Sequence, residues 1–384
     1  MYLKKPKYLT RIEQISHLGL GERAQLKKVT QKFAFRTNEY YLSLIHWDDP
    51  NDPIRRIVIP HPDELKEWGK LDASNESLYT VAPGLEHKYQ YTALLLVNDV
   101  CGGFCRFCFR KRLFLNGNDE VVRDVSEGIE YIRKHSQISN VLLTGGDPLL
   151  LSSRKLGAII RQLRQIDHVQ IIRIGTKIPA FNPYRILTDP ALLEMLERYS
   201  TPRKKIYIVT HFNHPRELTD QAVQALHLLQ KAGTILVNQT PLLRGINDNP
   251  DVLADLMNQL SYVGAPPYYI FQGRPTLGNK PFAIPIEESL EIFEIAKMKS
   301  SGLAKRARLV MSHETGKIEI VGKTDGYTYF RYHRAANPEE KGRFIVFRSN
   351  PKAYWFDDYD EAIDEYSIKN PYLALAHRDW SSAV

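Results

Sequence analysis

The stretch Ala93-Leu-Leu-Leu-Val97-Asn-Asp-Val-Cys101-Gly-Gly-Phe-Cys105-Arg-Phe-Cys108 joins an apolar run to a loop that contains every cysteine of the 384-residue chain. Ala93 to Val97 reads as a buried strand. Thiolates are soft ligands suited to zinc, copper(I) or iron–sulfur clusters, so Cys101, Cys105 and Cys108 point to one binding site. A closed structural zinc site takes four ligands, usually from two short clusters, and no second Cys/His cluster of that spacing follows. An odd count argues against disulfides. Three thiolates on a [4Fe–4S] cluster leave one iron open, and chemistry can happen there.

Outward from this stretch, short apolar runs recur at Val141–Leu143, Val169–Ile174, Ile206–Val209, Thr234–Val237 and Tyr268–Phe271. Helical patterns lie among them at Val122–His135, Arg154–Ile166, Pro190–Arg198, Arg216–Lys231 and Pro250–Tyr262. This alternation implies an α/β fold of parallel βαβ units with right-handed crossovers. Upstream, Leu9–Leu18 and Glu22–Gln31 read as helices, and Pro50, Pro53, Pro60 and Pro62 mark irregular connections. Downstream, Tyr327–Tyr332 and Arg343–Arg348 read as strands. The expected organisation is a mostly helical module over 1–91, the α/β unit over 92–310 and a mixed extension over 311–384. The aromatic, acidic run Tyr354-Trp-Phe-Asp-Asp-Tyr359 is either a lid over the site or a contact between copies of the chain.

Hydrophobic residues at 43% and charged residues at 25% describe an ordinary globular chain, which excludes disorder. The net charge of +8 is spread out, with only short clusters such as Arg203-Lys-Lys205. That favours a solvated surface and pockets for small anions over a nucleic acid partner. The N-terminus lacks the apolar core of a signal peptide, and no run is long enough to form a membrane helix. A reducing cytoplasm is expected, which suits an oxygen-sensitive cluster.

The spacing C-x3-C-x2-C, with Phe107 directly before the third cysteine, resembles the signature of the radical S-adenosylmethionine enzymes. Thr144-Gly-Gly-Asp-Pro148, by itself an ordinary turn, follows at the place of that superfamily's S-adenosylmethionine motif. Several longer phrases are similar to the lysine 2,3-aminomutase family: Val81 to Thr92, Arg173-Ile-Gly-Thr-Lys177, Thr210-His-Phe-Asn-His-Pro215 and Val237 to Asp248. The resemblance spans about Leu9 to Gly278.

It implies a partial (β/α)6 barrel with ligands at the C-terminal ends of the strands. It implies that S-adenosylmethionine meets Gly145, Gly146, Asp147, Arg173, Thr176 and His211, beside Phe107 at the cluster. Pyridoxal phosphate would lie by Tyr89 and Gln239 and be held covalently by Lys317, and Arg110 would hold the substrate carboxylate. In the reaction implied, a 5′-deoxyadenosyl radical takes a hydrogen from an amino acid. The amino group then moves to the neighbouring carbon while bound to pyridoxal phosphate as an imine. A reductant such as flavodoxin or ferredoxin is expected, and assembly into a homo-oligomer is compatible with the sequence.

Departures fall on the substrate side. Lys88 and Thr92 stand where lysine 2,3-aminomutase has arginines, and Arg274 and Ser312 where it has the aspartates that pair with the substrate ammonium. An arginine facing a lysine side chain repels it, so the expected substrate is an amino acid other than free lysine, glutamate-like in the simplest case. Arg274 in a surface loop is the competing reading. Lys317-Ile-Glu-Ile-Val321 also alternates like a half-exposed strand, which would turn Lys317 to solvent. Two other functions fit the cysteines: radical modification of a protein or RNA residue without pyridoxal phosphate, and a non-catalytic iron–sulfur protein.

Overall fold

The computed structural model describes residues 5–115 and 117–367. A single ladder of thirteen strands runs through it. Two short strands, β1 (Thr80–Ala82) and β2 (Leu85–Tyr89), pair antiparallel with the start of a parallel set. The parallel set is β3 (Thr92–Asn98), β4 (Asn140–Gly145), β5 (Ile171–Thr176), β6 (Ile206–Thr210), β7 (Ile235–Pro241), β8 (Pro267–Phe271) and β9 (Arg308–His313). Four antiparallel strands complete the ladder: β10 (Gly316–Thr324), β11 (Tyr327–Ala335), β12 (Phe344–Arg348) and β13 (Asp364–Tyr366).

The α/β class agrees with the sequence reading, and the strand count does not. There are seven parallel strands where six were expected, because Leu309-Val-Met311 is too short an apolar run to stand out. The hydrogen-bonded ladder does not close into a barrel, since β1 and β13 are free edges.

Period-two alternation divides the parallel strands between two environments. Ala93, Leu95, Val141, Leu143, Ile172, Ile174, Ile206 and Ile208 face the crossover helices and are buried. Their neighbours Leu94, Leu142, Arg173, Gly175 and Val209 face a central cavity. The helices α1 (Ser153–Arg164), α2 (Pro190–Tyr199), α3 (Asp220–Lys231) and α4 (Pro250–Tyr262) cover the outside. Each starts at a side-chain cap, namely Ser152, Asp189, Thr219 and Asn249, and two carry proline in the first turn. These stops hold the chain to short loops at the strand ends.

The two ends of the sheet approach each other through side chains instead of ladder bonds. Arg334 on β11 donates to the Thr92 hydroxyl on β3 at 2.8 Å. Lys341 donates to Gln90 at 2.8 Å, and Tyr79 to the Glu314 carbonyl at 2.7 Å.

The expected helix over Leu9–Leu18 does not form. Tyr8–Leu9 pairs with Thr37–Asn38, and Ile12–Gln14 is a single tight turn. Leu9, Ile12, Ile15 and Leu18 recur every third residue and are all buried, so an irregular chain imitates a helical stripe. The run from Tyr354 to Tyr359 is neither a free lid nor a free surface. Trp355 and Tyr359 are buried in the core formed by β10 to β12, with the Tyr359 ring 5.1 Å from Phe330. The remainder of the C-terminal extension, from 368 on, lies outside the described residues.

Candidate active site

The cysteine loop leaves the end of β3 and is clamped by the N-terminal segment. Asn38 Nδ2 donates to the carbonyls of Gly102 (3.1 Å) and Phe181 (2.8 Å). The Phe104 amide donates to Arg36 O and the Arg106 amide to Ile57 O, both at 2.9 Å. The Arg106 guanidinium is itself buried against Glu64 at 2.7 Å. A Cβ on Gly103 would stand 3.1 Å from the Phe181 ring, so the loop needs its glycine to lie this close. All three thiols line the cavity, and none is in a disulfide. Burial raises each thiol, Cys105 to about 12 against the opposing pull of Lys177 and a backbone hydrogen bond. Thiols held this way ionise when a metal supplies the positive charge.

Gly145 and Gly146 open the next rim segment after β4. The sequence suggested that they let a ligand approach the backbone; the structure shows the chain's own loop there. A Cβ on Gly145 (φ +103°) would meet the Asn98 carbonyl at 2.5 Å, and one on Gly146 the Val100 carbonyl at 2.5 Å. Asp147 is buried. It accepts from the Thr176 hydroxyl (2.8 Å) and from the amides of Lys177 (2.8 Å) and Leu149 (3.0 Å), tying β4 to β5. Burial, partly offset by these bonds, holds its carboxyl at about 6.

Lys177 donates to Glu217 (2.5 Å), Asn213 (2.7 Å) and the His211 carbonyl (2.8 Å). His211 lines the cavity 6.1 Å from the Phe107 ring, and its Nε2 has no partner among the described residues. Burial, then Lys177, lower it to about 3, so it is neutral at ordinary pH.

The opposite wall carries the expected substrate-side residues. The cavity they enclose has a volume of about 340 Å³. Arg110 donates to Glu76 with Nε and Nη2 (3.1 Å each) and to the Thr144 hydroxyl at 2.9 Å. Glu76 therefore already occupies the bidentate edge expected for a substrate carboxylate. Burial would raise the Glu76 carboxyl, but Arg110, Arg274 and Arg112 together pull it well below its usual range. Burial and Glu76 push its neighbour Glu86 upward.

Arg274 is not a surface residue. Its side chain is 15% exposed, lies 3.5 Å from Glu76 and covers the Phe109 ring at 3.7 Å. Lys317 does not face solvent either. It is buried with Nζ 4.4 Å from the Tyr269 ring and 4.5 Å from Phe271. Burial first, then Arg334, Arg274, Arg173 and Lys88, hold its amine well below the usual lysine range. Ser312, Gln239 and Tyr89 also line this cavity.

A family model for the radical SAM superfamily matches residues 95–257. A protein of Aquifex aeolicus named putative L-lysine 2,3-aminomutase is 61% identical, over 94% of this chain and 97% of its own. The chain belongs to the lysine 2,3-aminomutase-like family of radical SAM enzymes. The L-lysine 2,3-aminomutase of Clostridium subterminale is 41% identical over 68% of this chain and 62% of its own. The glutamate 2,3-aminomutase of Clostridioides difficile is 34% identical over 79% and 71%. Membership makes this chain an enzyme of the aminomutase-like, isomerase class, which removes the non-catalytic reading.

For this aminomutase-like enzyme the family implies a [4Fe–4S] cluster and S-adenosylmethionine, and the donor set fits. Three soft thiols lining one cavity are the donor type that iron–sulfur clusters take. The sequence reading missed the acids and bases that set the charge of the cavity: Glu76, Glu86, Lys177 and Arg334. Glu76 sits in a loop without a motif and Arg334 in the C-terminal hairpin, so only proximity reveals them. No helix among the described residues is long and apolar enough to cross a membrane.

Proposed function

We propose that the enzyme generates a 5′-deoxyadenosyl radical and uses it to take hydrogen from an amino acid other than free lysine, in a 2,3-aminomutase-type reaction. In this reading Cys101, Cys105 and Cys108 hold the cluster, and the sheet curled around the cavity is a partial β/α barrel. Gly145, Gly146, Asp147, Thr176 and His211 would hold S-adenosylmethionine, with Arg173 lining the same cavity. When bound, the cluster supplies the electron that cleaves S-adenosylmethionine, and pyridoxal phosphate carries the migrating nitrogen.

The chain's own residues position and shield. Asp147 holds Thr176 and the backbone of Lys177 in register at the end of β5. Phe107 and Phe109 keep water from the radical. Lys317, deprotonated by burial among other cations, is ready to condense with an aldehyde with loss of water. A one-electron donor such as flavodoxin or ferredoxin would serve the cluster.

The observation that carries the substrate assignment is Arg274 inside the cavity, where a second cation would have to lie beside it. Glu76 balances part of that charge, so a neutral polar or anionic side chain is accommodated and an ammonium is disfavoured. Relatives named for lysine and for glutamate both exist, so the family does not decide the point. The test uses the anaerobically reconstituted enzyme with deuterated amino acids and measures deuterium in 5′-deoxyadenosine. Glutamate or another non-cationic amino acid should be the efficient donor; free lysine as the efficient donor would overturn the assignment. Borohydride reduction followed by peptide mass analysis should place a pyridoxyl group on Lys317.

A further inference from the structure

Among the described residues, four basic side chains at one end of the cavity have no carboxylate at ion-pair distance. Lys88, Arg173, Lys317 and Arg334 all line it. Their partners among the described residues are neutral. Arg173 donates to the Asn140 side chain at 2.8 Å and Arg334 to the Thr92 hydroxyl at 2.8 Å. Lys88 donates to the His313 carbonyl, and Lys317 rests on the rings of Tyr269 and Phe271. Elsewhere in the same cavity the cations are balanced: Lys177 by Glu217, and Arg110 and Arg274 by Glu76.

The imbalance is built into the fold. Lys317 on β10 and Arg334 on β11 are directly opposed in the antiparallel register, an arrangement that like charges disfavour. Burial strengthens the repulsion. An anion carrying about two charges would balance the charged groups at this end, and a phosphate monoester is such an anion.

We propose that Arg334, with Lys88, forms the phosphate subsite for pyridoxal phosphate in this enzyme, so that the C-terminal hairpin supplies both the covalent lysine and the guanidinium. The inference rests on the cofactor reading above and adds a residue to it. The geometry suits the ligand's own chemistry. The aldehyde and the phosphate arm stand on adjacent ring carbons, so the lysine and the phosphate-binding guanidinium must be neighbours, as Lys317 and Arg334 are. Arg334 also lies 4.0 Å over the Tyr89 ring, which fixes the plane of its fork toward the cavity. The hydroxyl of Thr92 orients the guanidinium from behind.

The test measures binding of pyridoxal phosphate and of phosphate-free pyridoxal to the full reconstituted chain, by equilibrium dialysis and by borohydride trapping at Lys317. Wild type should prefer pyridoxal phosphate. Arg334→Ala should weaken pyridoxal phosphate by about tenfold or more and leave pyridoxal unchanged. Arg334→Lys should recover part of the loss. The double variant Arg334→Ala with Thr92→Arg, which moves the guanidinium to the neighbouring strand, should recover most of it. Unaltered S-adenosylmethionine binding and thermal unfolding would establish that the variants are folded. Arg334→Ala that binds pyridoxal phosphate like wild type, or loses both ligands equally, overturns the subsite while leaving the cofactor reading intact. Wild type that yields no Lys317 adduct with either ligand overturns the cofactor reading, and the subsite with it.

Discussion

The two ends of the cavity differ in how their charges are met. At the cysteine end Lys177 has Glu217, Asp147 has three donors, and Arg106 has Glu64. The charged groups of that wall are paired before any small molecule arrives. At the end built by Lys88, Arg173, Lys317 and Arg334 the cations face one another with neutral partners. In the proposed reading, the first end is a charge-balanced platform for the cluster and the second a pocket whose charge is finished by its ligand.

The largest expected effect is at the platform. Cys105→Ala should abolish reductive cleavage of S-adenosylmethionine, measured as 5′-deoxyadenosine under anaerobic conditions with a chemical reductant. A wild-type rate would break the cluster assignment and the contrast with it.

A pair of matched substitutions tests the charge argument directly. Lys177→Met leaves Glu217 buried and unpaired, and should destabilise the protein by about 3 to 5 kcal/mol in urea unfolding. Arg334→Met removes a cation that faces Lys88 and Arg173 with no carboxylate at ion-pair distance, and should stabilise the cofactor-free protein by about 1 to 2 kcal/mol. Equal effects of the two would mean that the far end is balanced after all.

A third test concerns pH. Burial pushes the Asp147 carboxyl up to about 6 in the folded chain, from the ordinary aspartate value of 3.8. Between those values the folded state binds more protons than the unfolded state, so stability falls as pH rises from about 4 to 6. The loss should be on the order of 2 kcal/mol. Asp147→Asn should flatten that part of the stability profile, as read by unfolding at successive pH values. An unchanged slope would mean that Asp147 is solvated.

The smallest effect is expected at Arg274. Arg274→Gln removes the cation but not Glu76, and should shift the ratio of hydrogen donation toward free lysine and away from glutamate by about tenfold. No shift would leave substrate choice to residues elsewhere in the pocket.

Much of this was legible in the chain before folding. The cysteine spacing, the strand–helix alternation and the strand-end phrases around Gly145, Arg173 and His211 are local patterns, and the structure brings those residues to one cavity. Some readings of local pattern failed for a physical reason. Leu9 to Leu18 has apolar spacing that an irregular chain can also satisfy, and Lys317 alternates like an exposed strand although the sheet curls over it. The missing side chains of Gly145 and Gly146 also make room for the carbonyls of Asn98 and Val100, a close approach that the sequence does not show.

Ligand chemistry, fold class and family membership are written in residue types at short spacing, because thiol softness and strand periodicity are properties of neighbouring residues. The charge of the pocket is not. Glu76 meets Arg110 and Arg274 across long stretches of chain, and Arg334 reaches Thr92 across 242 residues. Electrostatic interaction depends on distance through space and on burial, and both exist only once the sheet has curled its ends together.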